Sequence, residues 1–286
     1  MYPRIDIHPH IVSPDTDTYP ISPLGGKRSD WSKDAHSVTA AEMIEAMDAA
    51  GVAKSALVHS STTYGFDCSL VADAVAQHPD RFTAVCSIDA MLPDAVETLK
   101  SWVARGCTGL RFFTTGSTMP GQADWLNDPK TYPVWEYASE TNLPICVQLT
   151  VGGLPMLTDM MDRFPDVPVI LDHLAKPDLS AGDPYPDAQV VFDLARYKQL
   201  VVKFTPSVLK IAREGKASIQ TLAPRLFDAF GADHIAWGSN YPASSGSLAD
   251  IVEMCESAFS FLPESDRAKI MGGNALRLYP VLKREL

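Results

Sequence analysis

The sequence has little positive charge, and it contains no long hydrophobic run, no internal repeat and no low-complexity tract. Its 24 Lys and Arg residues stand against 35 Asp and Glu residues, which gives a formal net charge of −11. This balance argues against nucleic acid or an anionic membrane as the partner and favours a small molecule. No stretch reaches the roughly 18 consecutive apolar residues of a membrane span, and the chain begins directly with a predicted strand. We therefore expect a cytoplasmic protein, and the composition is also compatible with a homo-oligomer.

Cysteine is scarce as well. Five cysteines, an odd number, are scattered at positions 68, 86, 107, 146 and 255, mostly inside apolar runs. This pattern excludes a disulfide framework and indicates small core residues in a reducing compartment. Cys146 is of most interest, because it lies on a predicted strand near the predicted site.

The chain also lacks a G-x-G-x-x-G turn after an early strand, which weakens an interpretation as a doubly wound sheet. Short apolar segments instead alternate with helix-like segments. The predicted strands begin at Arg4 and recur at 54–61, 82–88, 107–114, 144–150, 168–173, 200–205 and 234–239. The predicted helices follow at 39–50, 67–78, 93–105, 131–142, 154–164, 187–197, 216–230 and 248–261. Eight such units predict an α/β fold, a single-domain (β/α)8 TIM barrel over residues 1–286.

Two segments fall outside the eight units. Residues 13–34 have no periodicity and are rich in Pro, Ser, Asp and Gly. They predict a long loop after strand 1 that acts as a lid, with a solvated linker as the alternative. Residues 264–278 predict an extra C-terminal helix that packs across the outside of the barrel.

The first strand carries the most distinctive pattern. Asp6, His8 and His10 alternate with Ile5 and Ile7, which is typical of a strand with one packed and one working face. Two histidines on one face of a strand have Cα atoms roughly 6 to 7 Å apart, which suits binding one ion or one polarised oxygen. A polar N-terminal strand with two half-buried histidines is the alternative.

In such a barrel the reacting groups stand at the carboxyl ends of the strands. Those positions carry an almost wholly polar set: His8, His10, Ser60, Ser61, Asp89, Arg111, Thr114, Gln148, Thr150, His173, Lys203, Thr205, Ser239 and Asn240. The loop after strand 2 adds Tyr64 to the candidates for contacting a substrate, beside Ser61 and Gln148. The sequence therefore predicts a polar mouth on an apolar barrel.

Two of these residues interrupt apolar strands. His173 ends the run Val-Ile-Leu-Asp, and it either points into the mouth or is a satisfied core histidine. Arg111 lies in Gly-Leu-Arg-Phe-Phe, and a buried guanidinium requires an anionic partner. A substrate carboxylate and an internal salt bridge both satisfy that requirement.

Three segments together resemble the amidohydrolase superfamily, in its amidohydrolase-2 branch of barrel hydrolases. They are Ile-Asp-Ile-His-Pro-His at 5–10, Leu-Asp-His-Leu-Ala-Lys-Pro at 171–177 and Trp-Gly-Ser-Asn-Tyr-Pro at 237–242. The branch includes sugar, pyrone-dicarboxylate and muconolactone-type lactonases and, more distantly, decarboxylases of aromatic acids. The resemblance extends from residue 4 to about residue 277.

The resemblance implies roles for individual residues. His8 and His10 correspond to the strand 1 pair and His173 to the strand 6 histidine, while Arg111 and Lys203 are candidates for holding a substrate carboxylate or carbonyl. Two departures remove charge or basicity. Asn240 stands where the family has an acid that activates water, and Gln148 stands where many relatives have a histidine or lysine.

These departures leave the cofactor open. A zinc centre needs three protein ligands and an open position, which His8, His10 and His173 supply if the barrel brings them together. Because Asn and Gln are poor zinc ligands, a metal-free site in which the histidines polarise a carbonyl is the alternative. An amide cannot take a proton near neutral pH, so Asn240 is expected to orient water or donate to an oxyanion. The general base stays unassigned.

The leading hypothesis is a hydrolase that opens a lactone or related cyclic ester of a small carboxylated molecule, because that reaction tolerates a weak base. The alternative is a carbon–carbon lyase that decarboxylates a hydroxylated aromatic acid, which needs a metal. A third hypothesis is a non-catalytic binding barrel that lost its base at position 240.

Overall fold

A single sheet of eight parallel strands organises the computed structural model, which describes residues 2–33, 37–114 and 124–284. The strands pair in sequence order and are β1 (Arg4–Asp6), β2 (Val52–Val58), β3 (Phe82–Cys86), β4 (Cys107–Phe113), β5 (Ile145–Gln148), β6 (Val169–Leu171), β7 (Leu200–Phe204) and β8 (Ile235–Trp237). A doubly wound sheet would reverse its strand order at a switch point, and this sheet does not. The predicted barrel is confirmed, and its strands form a nearly closed ring.

The ring closes between β8 and β1 without a ladder of strand hydrogen bonds among the described residues. A carboxylate joins the two edges instead: Asp6 Oδ1 accepts hydrogen bonds from the backbone N–H groups of His8 and Ser239, each at 2.9 Å. One backbone bond follows, from His10 N to Tyr241 O at 2.8 Å. A Cβ at Gly238 would lie 2.6 Å from His8 Cβ, so only glycine allows this approach.

Helices follow the strands, and the longer ones cover the outside of the sheet. They are α1 (Asp30–Lys33), α2 (Ala40–Ala50), α3 (Ser61–Tyr64), α4 (Ser69–Gln77), α5 (Ala95–Ala104), α6 (Tyr132–Thr141), α7 (Leu154–Arg163), α8 (Gln189–Phe192), α9 (Pro206–Ile211), α10 (Ile219–Phe230), α11 (Leu248–Ala258), α12 (Glu264–Ala268) and α13 (Asn274–Leu278). The capping box of Thr39 with Glu42 begins α2, and left-handed Gly51 ends it. None of the helices in the described ranges is long and apolar enough to cross a membrane.

Several predicted boundaries need correction. Strand 1 ends at Asp6, so His8 and His10 follow the strand rather than lie on it, and residues 5–12 are buried on both faces. The segments expected to be plain loops contain α1 and α3, and α9 was not predicted. The predicted helix 187–197 consists of α8 between two 3-10 turns.

The interior of the barrel is apolar below the mouth. Its inward side chains are small or branched: Ile5, Ile7, Ala56, Val58, Val85, Cys146, Ile170, Val201 and Ala236. Leu278 and Tyr279, at the end of the extra helical segment, belong to the same cluster, so this segment closes the amino-terminal end of the barrel rather than only packing outside. The polar residues at the carboxyl ends of the strands can therefore reach solvent only through the mouth of the barrel.

Candidate active site

Asp172 is the centre of a buried ionic cluster at the mouth. It directly follows β6 and is fully buried. Its Oδ1 lies 2.7 Å from Lys203 Nζ, and its Oδ2 accepts a hydrogen bond from Arg111 Nε at 2.8 Å. Burial alone would raise the pKa of this carboxyl, but Lys203 and Arg111 hold it well below its usual value. Asp172 is therefore a carboxylate that orients two cations.

His8 lies between these cations. Lys203 Nζ is 2.8 Å from its Nδ1, and Arg111 Nη2 is 3.4 Å from its Nε2. Burial, followed by the charge of Lys203, lowers the pKa of His8 well below its usual value, so the imidazole is neutral. An ammonium and a guanidinium can only donate, and a neutral imidazole can accept at one nitrogen only. The shorter contact, from Lys203, makes Nδ1 the acceptor that carries the lone pair, and Nε2–H then lies near Arg111 Nη2 without a hydrogen bond.

His10 has a tautomer fixed by the backbone. Its Nδ1 lies 2.8 Å from the carbonyl oxygen of Val58, which can only accept, so Nδ1 carries the proton. Nε2 is left with the lone pair, and the residue lines the pocket described below. Burial, and then the charge of Arg111, lowers the pKa of His10 to about 3. The ring of Trp31 stacks on this imidazole with centroids 5.3 Å apart.

His173 follows Asp172 in a turn of unusual backbone geometry. His173, Leu174, Ala175 and Lys176 all have positive φ, between 51° and 57°. Left-handed residues other than glycine cost roughly 1 to 2 kcal/mol each, and such strain is concentrated at functional sites. The turn presents both His173 and Lys176 to the pocket, and His173 Nδ1 pairs with Thr205 Oγ1 at 2.7 Å. Burial is the main cause that lowers the pKa of His173 to about 3.

A pocket of about 300 Å³ opens above this cluster. Its lining includes two cationic side chains, Arg111 and Lys176, and two neutral imidazoles, His10 and His173. The remainder is uncharged: Ser29, Trp31, Ser60, Ser61, Thr62, Phe113, Gln148, Ser207, Asn240 and Ala243. None of the lining residues in the described ranges is a carboxylate. Trp31 and Ser29 come from the long loop after strand 1, which therefore contributes to the site.

Most of the predicted site residues meet here. His10, Arg111, His173, Asn240, Ser61 and Gln148 line the pocket, and His8 lies beneath it. Arg111 also donates to Gln148 Oε1, so its internal salt bridge with Asp172 and its exposure to the pocket coexist. The hydroxyl of Ser61 is buried and has no hydrogen-bond partner among the described residues.

Lys203 and Tyr64 are not part of the pocket lining. Lys203 is fully buried below the floor, against Asp172, His8 and Cys146 Sγ at 3.0 Å. The hydroxyl of Tyr64 accepts a hydrogen bond from Ser13 N at 2.9 Å, which anchors the start of the long loop. Their direct contact with a substrate stays a prediction that this arrangement does not favour.

Of the site residues that were not among the candidates, three determine its charge and packing: Asp172, Lys176 and Trp31. Asp172 and Lys176 flank His173 in the same short segment, so an acid next to a strand-end histidine was the available signal. Trp31 lies in a segment without periodicity, and only the folded chain brings it to His10.

A metal can be considered at one group of residues in the described ranges. His8, Asp172 and His173 have ligand atoms within 4.8 Å of one another, so Asp172 takes the place predicted for His10. Metal ligands must offer free lone pairs. The lone pair of His8 and one oxygen of Asp172 both face Lys203, and the other oxygen faces Arg111. With the two cations in these positions the residues do not fit a divalent ion.

Comparisons with known proteins agree with this architecture. A family model described as amidohydrolase matches residues 5–281. An L-fucono-1,5-lactonase of Burkholderia ambifaria is 27% identical over 173 residues, which are 55% of this chain and 57% of that protein. The chain thus matches little more than half the length of this relative.

Two solved structures share the fold across almost the whole chain. A probable 2-pyrone-4,6-dicarboxylic acid hydrolase from Acinetobacter baumannii, with citric acid bound, superposes with a TM-score of 0.75 at 21% identity, covering 97% of this chain and 99% of that one. An amidohydrolase from Burkholderia multivorans with bound zinc gives 0.76 at 19% identity, with coverage of 97% and 99%.

Proposed function

The chain belongs to the amidohydrolase family, and from this premise we propose that it opens the ring of a lactone that carries a carboxylate. The observation that carries the proposal is the charge of the pocket. Arg111 and Lys176 line it, and no carboxylate does so among the described residues. The L-fucono-1,5-lactonase among the similar proteins supports the opening of a lactone ring, and the probable pyrone-dicarboxylic acid hydrolase supports a substrate that carries carboxylates.

Arg111 is the anchor for the substrate anion. It is 4% exposed, and its Nε is fixed by Asp172 while its Nη2 contacts Gln148. The guanidinium also lies over the ring of Phe113, with Cζ 4.3 Å from the centroid. Because Asp172, Gln148 and Phe113 already fix the planar guanidinium, little conformational entropy of Arg111 is lost when it binds a carboxylate. Lys176, at the rim, supplies a second positive charge.

Water is the nucleophile, and His10 is the group placed to accept its proton. The oxygen of water attacks the lactone carbonyl carbon as one O–H bond breaks and its proton moves to His10 Nε2. The tetrahedral intermediate then breaks the bond between its carbon and the ring oxygen. The ring oxygen takes the proton from Nε2 of the His10 imidazolium, which returns to the neutral form with the proton on Nδ1. The product is an open-chain hydroxy acid. Burial is the main cause of the low pKa of His10, and the charge of Arg111 is the second; a bound substrate anion offsets the second cause and so raises the pKa of this imidazole above its value in the empty pocket.

Hydroxyl and amide groups surround the position of the reacting carbonyl. Ser61 has a buried hydroxyl free to donate, and Asn240 lines the same pocket while its amide donates to Ser244 Oγ at 3.1 Å. Neither group takes a proton near neutral pH. We assign them to holding water and the developing oxyanion, for which neutral donors suffice.

The test is a paired substrate screen of the purified protein. We expect hydrolysis of carboxylated lactones, such as 2-pyrone-4,6-dicarboxylate, to exceed that of neutral L-fucono-1,5-lactone at least about tenfold in kcat/KM. Arg111→Met should lower kcat/KM for the carboxylated lactone about 100-fold and affect the neutral lactone less. Arg111→Lys, which keeps the charge but not the planar fork, is the matched control and should fall between them.

Two results would contradict the proposal. Release of CO2 from a dihydroxybenzoate without lactone hydrolysis would favour the decarboxylase that the resemblance also implies. Tight binding of carboxylated lactones without turnover would favour a non-catalytic barrel.

A further inference from the structure

The fully buried Lys203 lies at the centre of the group of side chains that would otherwise hold a metal. Its Nζ is 2.8 Å from His8 Nδ1, 2.7 Å from Asp172 Oδ1 and 3.0 Å from Cys146 Sγ. All four side chains are at most 1% exposed. An ammonium surrounded by imidazole nitrogen, carboxylate oxygen and sulfur has the kind of ligand set that divalent metals prefer.

A metal ion and this ammonium compete for the same electrons. A neutral imidazole has one lone pair, and that of His8 points to Lys203. Switching the tautomer would turn Nδ1–H towards Asp172 Oδ1, 3.4 Å away, but it would place that N–H against the ammonium and lose the 2.8 Å hydrogen bond from Lys203. Asp172 is largely committed as well, because Oδ1 accepts from Lys203 Nζ and from the Cys146 thiol at 2.9 Å, and Oδ2 accepts from Arg111 Nε.

We infer that Lys203 is a built-in cation that replaces the divalent metal of this site. It holds His8 and Asp172 in place, so the cluster keeps its geometry without an ion. Replacement of Lys203 by a neutral side chain frees both ligands and turns the cluster into a metal site. The inference concerns metal binding alone and stands whether or not the substrate is a lactone.

The experiment measures zinc content rather than activity. Wild-type protein and Lys203→Met are treated with chelator, dialysed against equal free Zn²⁺, and analysed by mass spectrometry of the metal. We expect less than about one tenth of an ion per chain in the wild type and about one in Lys203→Met. A competing chromogenic chelator should show an affinity gain of at least about 100-fold.

Matched variants identify the site. Lys176→Met removes a nearby cation that does not touch His8 or Asp172, and it should stay as poor in zinc as the wild type. The double variant Lys203→Met with His8→Ala should lose the zinc gained by the single variant. Circular dichroism checks that each variant is folded.

Two outcomes overturn the inference. One is stoichiometric zinc in the wild type that disappears on His8→Ala, a measurement that does not depend on the folding of any Lys203 variant. The other is a folded Lys203→Met that binds no more zinc than the wild type. If Lys203→Met does not fold, Lys203→Gln, which retains a hydrogen-bond donor, is analysed in the same way.

Discussion

His10 is the residue whose protonation should govern turnover. Burial and the charge of Arg111 lower its pKa to about 3, so the free enzyme keeps Nε2 unprotonated down to acidic pH. An imidazole with the usual pKa of about 6.5 would already be half protonated at pH 6.5. We therefore expect protonation of His10 to cause no decline in kcat/KM between pH 7.5 and 5.5. Steady-state kinetics in buffers of constant ionic strength measure this.

His10→Gln removes the base but keeps a side chain that can hydrogen-bond. We expect kcat to fall about 10²- to 10⁴-fold while KM changes little, because the proton acceptor is lost and the substrate anchor is not. Steady-state kinetics on the best lactone from the screen check this. An unchanged kcat would transfer the role of base to His173, the other imidazole of the pocket.

Asn240 offers a second prediction at this scale. Its φ is 53°, a left-handed conformation that Asp tolerates as Asn does, so Asn240→Asp should fold. The new carboxylate adds an anion to a pocket that we propose binds one. We expect the preference for carboxylated over neutral lactones to fall about tenfold or more. A rise in that preference would contradict an anionic substrate.

The residues show which site features a sequence can reveal. His8, His10, His173 and Arg111 stood out because histidine and arginine interrupt apolar strands. Asp172 did not, since an acid next to a histidine is common and its importance comes from Lys203 and Arg111, which are 31 and 61 positions away in sequence. Long-range ion pairs of this kind leave no local pattern.

Among the elements, the segment 269–273 carries a matched pair of glycines. A Cβ on Gly272 would lie 2.1 Å from the backbone oxygen of Pro3, next to β1, whereas on Gly273 its nearest neighbour would be 3.6 Å away. We expect Gly272→Ala to destabilise the protein by about 1 to 3 kcal/mol, since two backbones must separate. Gly273→Ala should be neutral or stabilising by up to about 1 kcal/mol, because alanine favours a helix. Urea unfolding of both variants measures the difference.

The pattern of elements was predictable where periodicity was strong. The eight strand and helix units follow from alternating apolar segments, and the capping box located the start of α2. Short helices such as α3 and α9 were missed because four to six residues show no helical period. Strand 1 ended earlier than predicted because the N–H groups of His8 and His10 are donated to Asp6 Oδ1 and Tyr241 O, and Pro9 between them has no N–H to donate to a ladder.

For the whole molecule, buried neutral histidines set the response to acid. Burial lowers the pKa of His10 and His173 to about 3 and that of His59 to about 4. Below about pH 6.5 these histidines are protonated in the unfolded chain but stay neutral in the folded chain. The free energy of unfolding therefore falls as the pH falls. Each histidine contributes a slope of up to about 1.4 kcal/mol per pH unit. We expect Tm to decrease steadily from pH 7 to pH 5.

His59→Gln provides the control for this prediction. The residue is buried behind the pocket, where its Nε2 pairs with the carbonyl of Gly65 at 2.9 Å, and it has no role in the proposed reaction. The variant should show a shallower dependence of unfolding free energy on pH than the wild type, by up to about 1.4 kcal/mol per unit. Parallel curves for the two proteins would exclude His59 from the acid response.

The junction between β8 and β1, which the carboxylate of Asp6 bridges, is the place where the barrel should open most easily. In the part of the chain that the structure describes, seven strand junctions have repeated backbone hydrogen bonds, while the eighth has the bonds to the Asp6 side chain and one backbone bond near the mouth. Amide protons of His8 and Ser239 should therefore exchange with deuterium sooner than those inside β4 or β5. Transient opening of the barrel then starts beside the histidines that line the proposed substrate site.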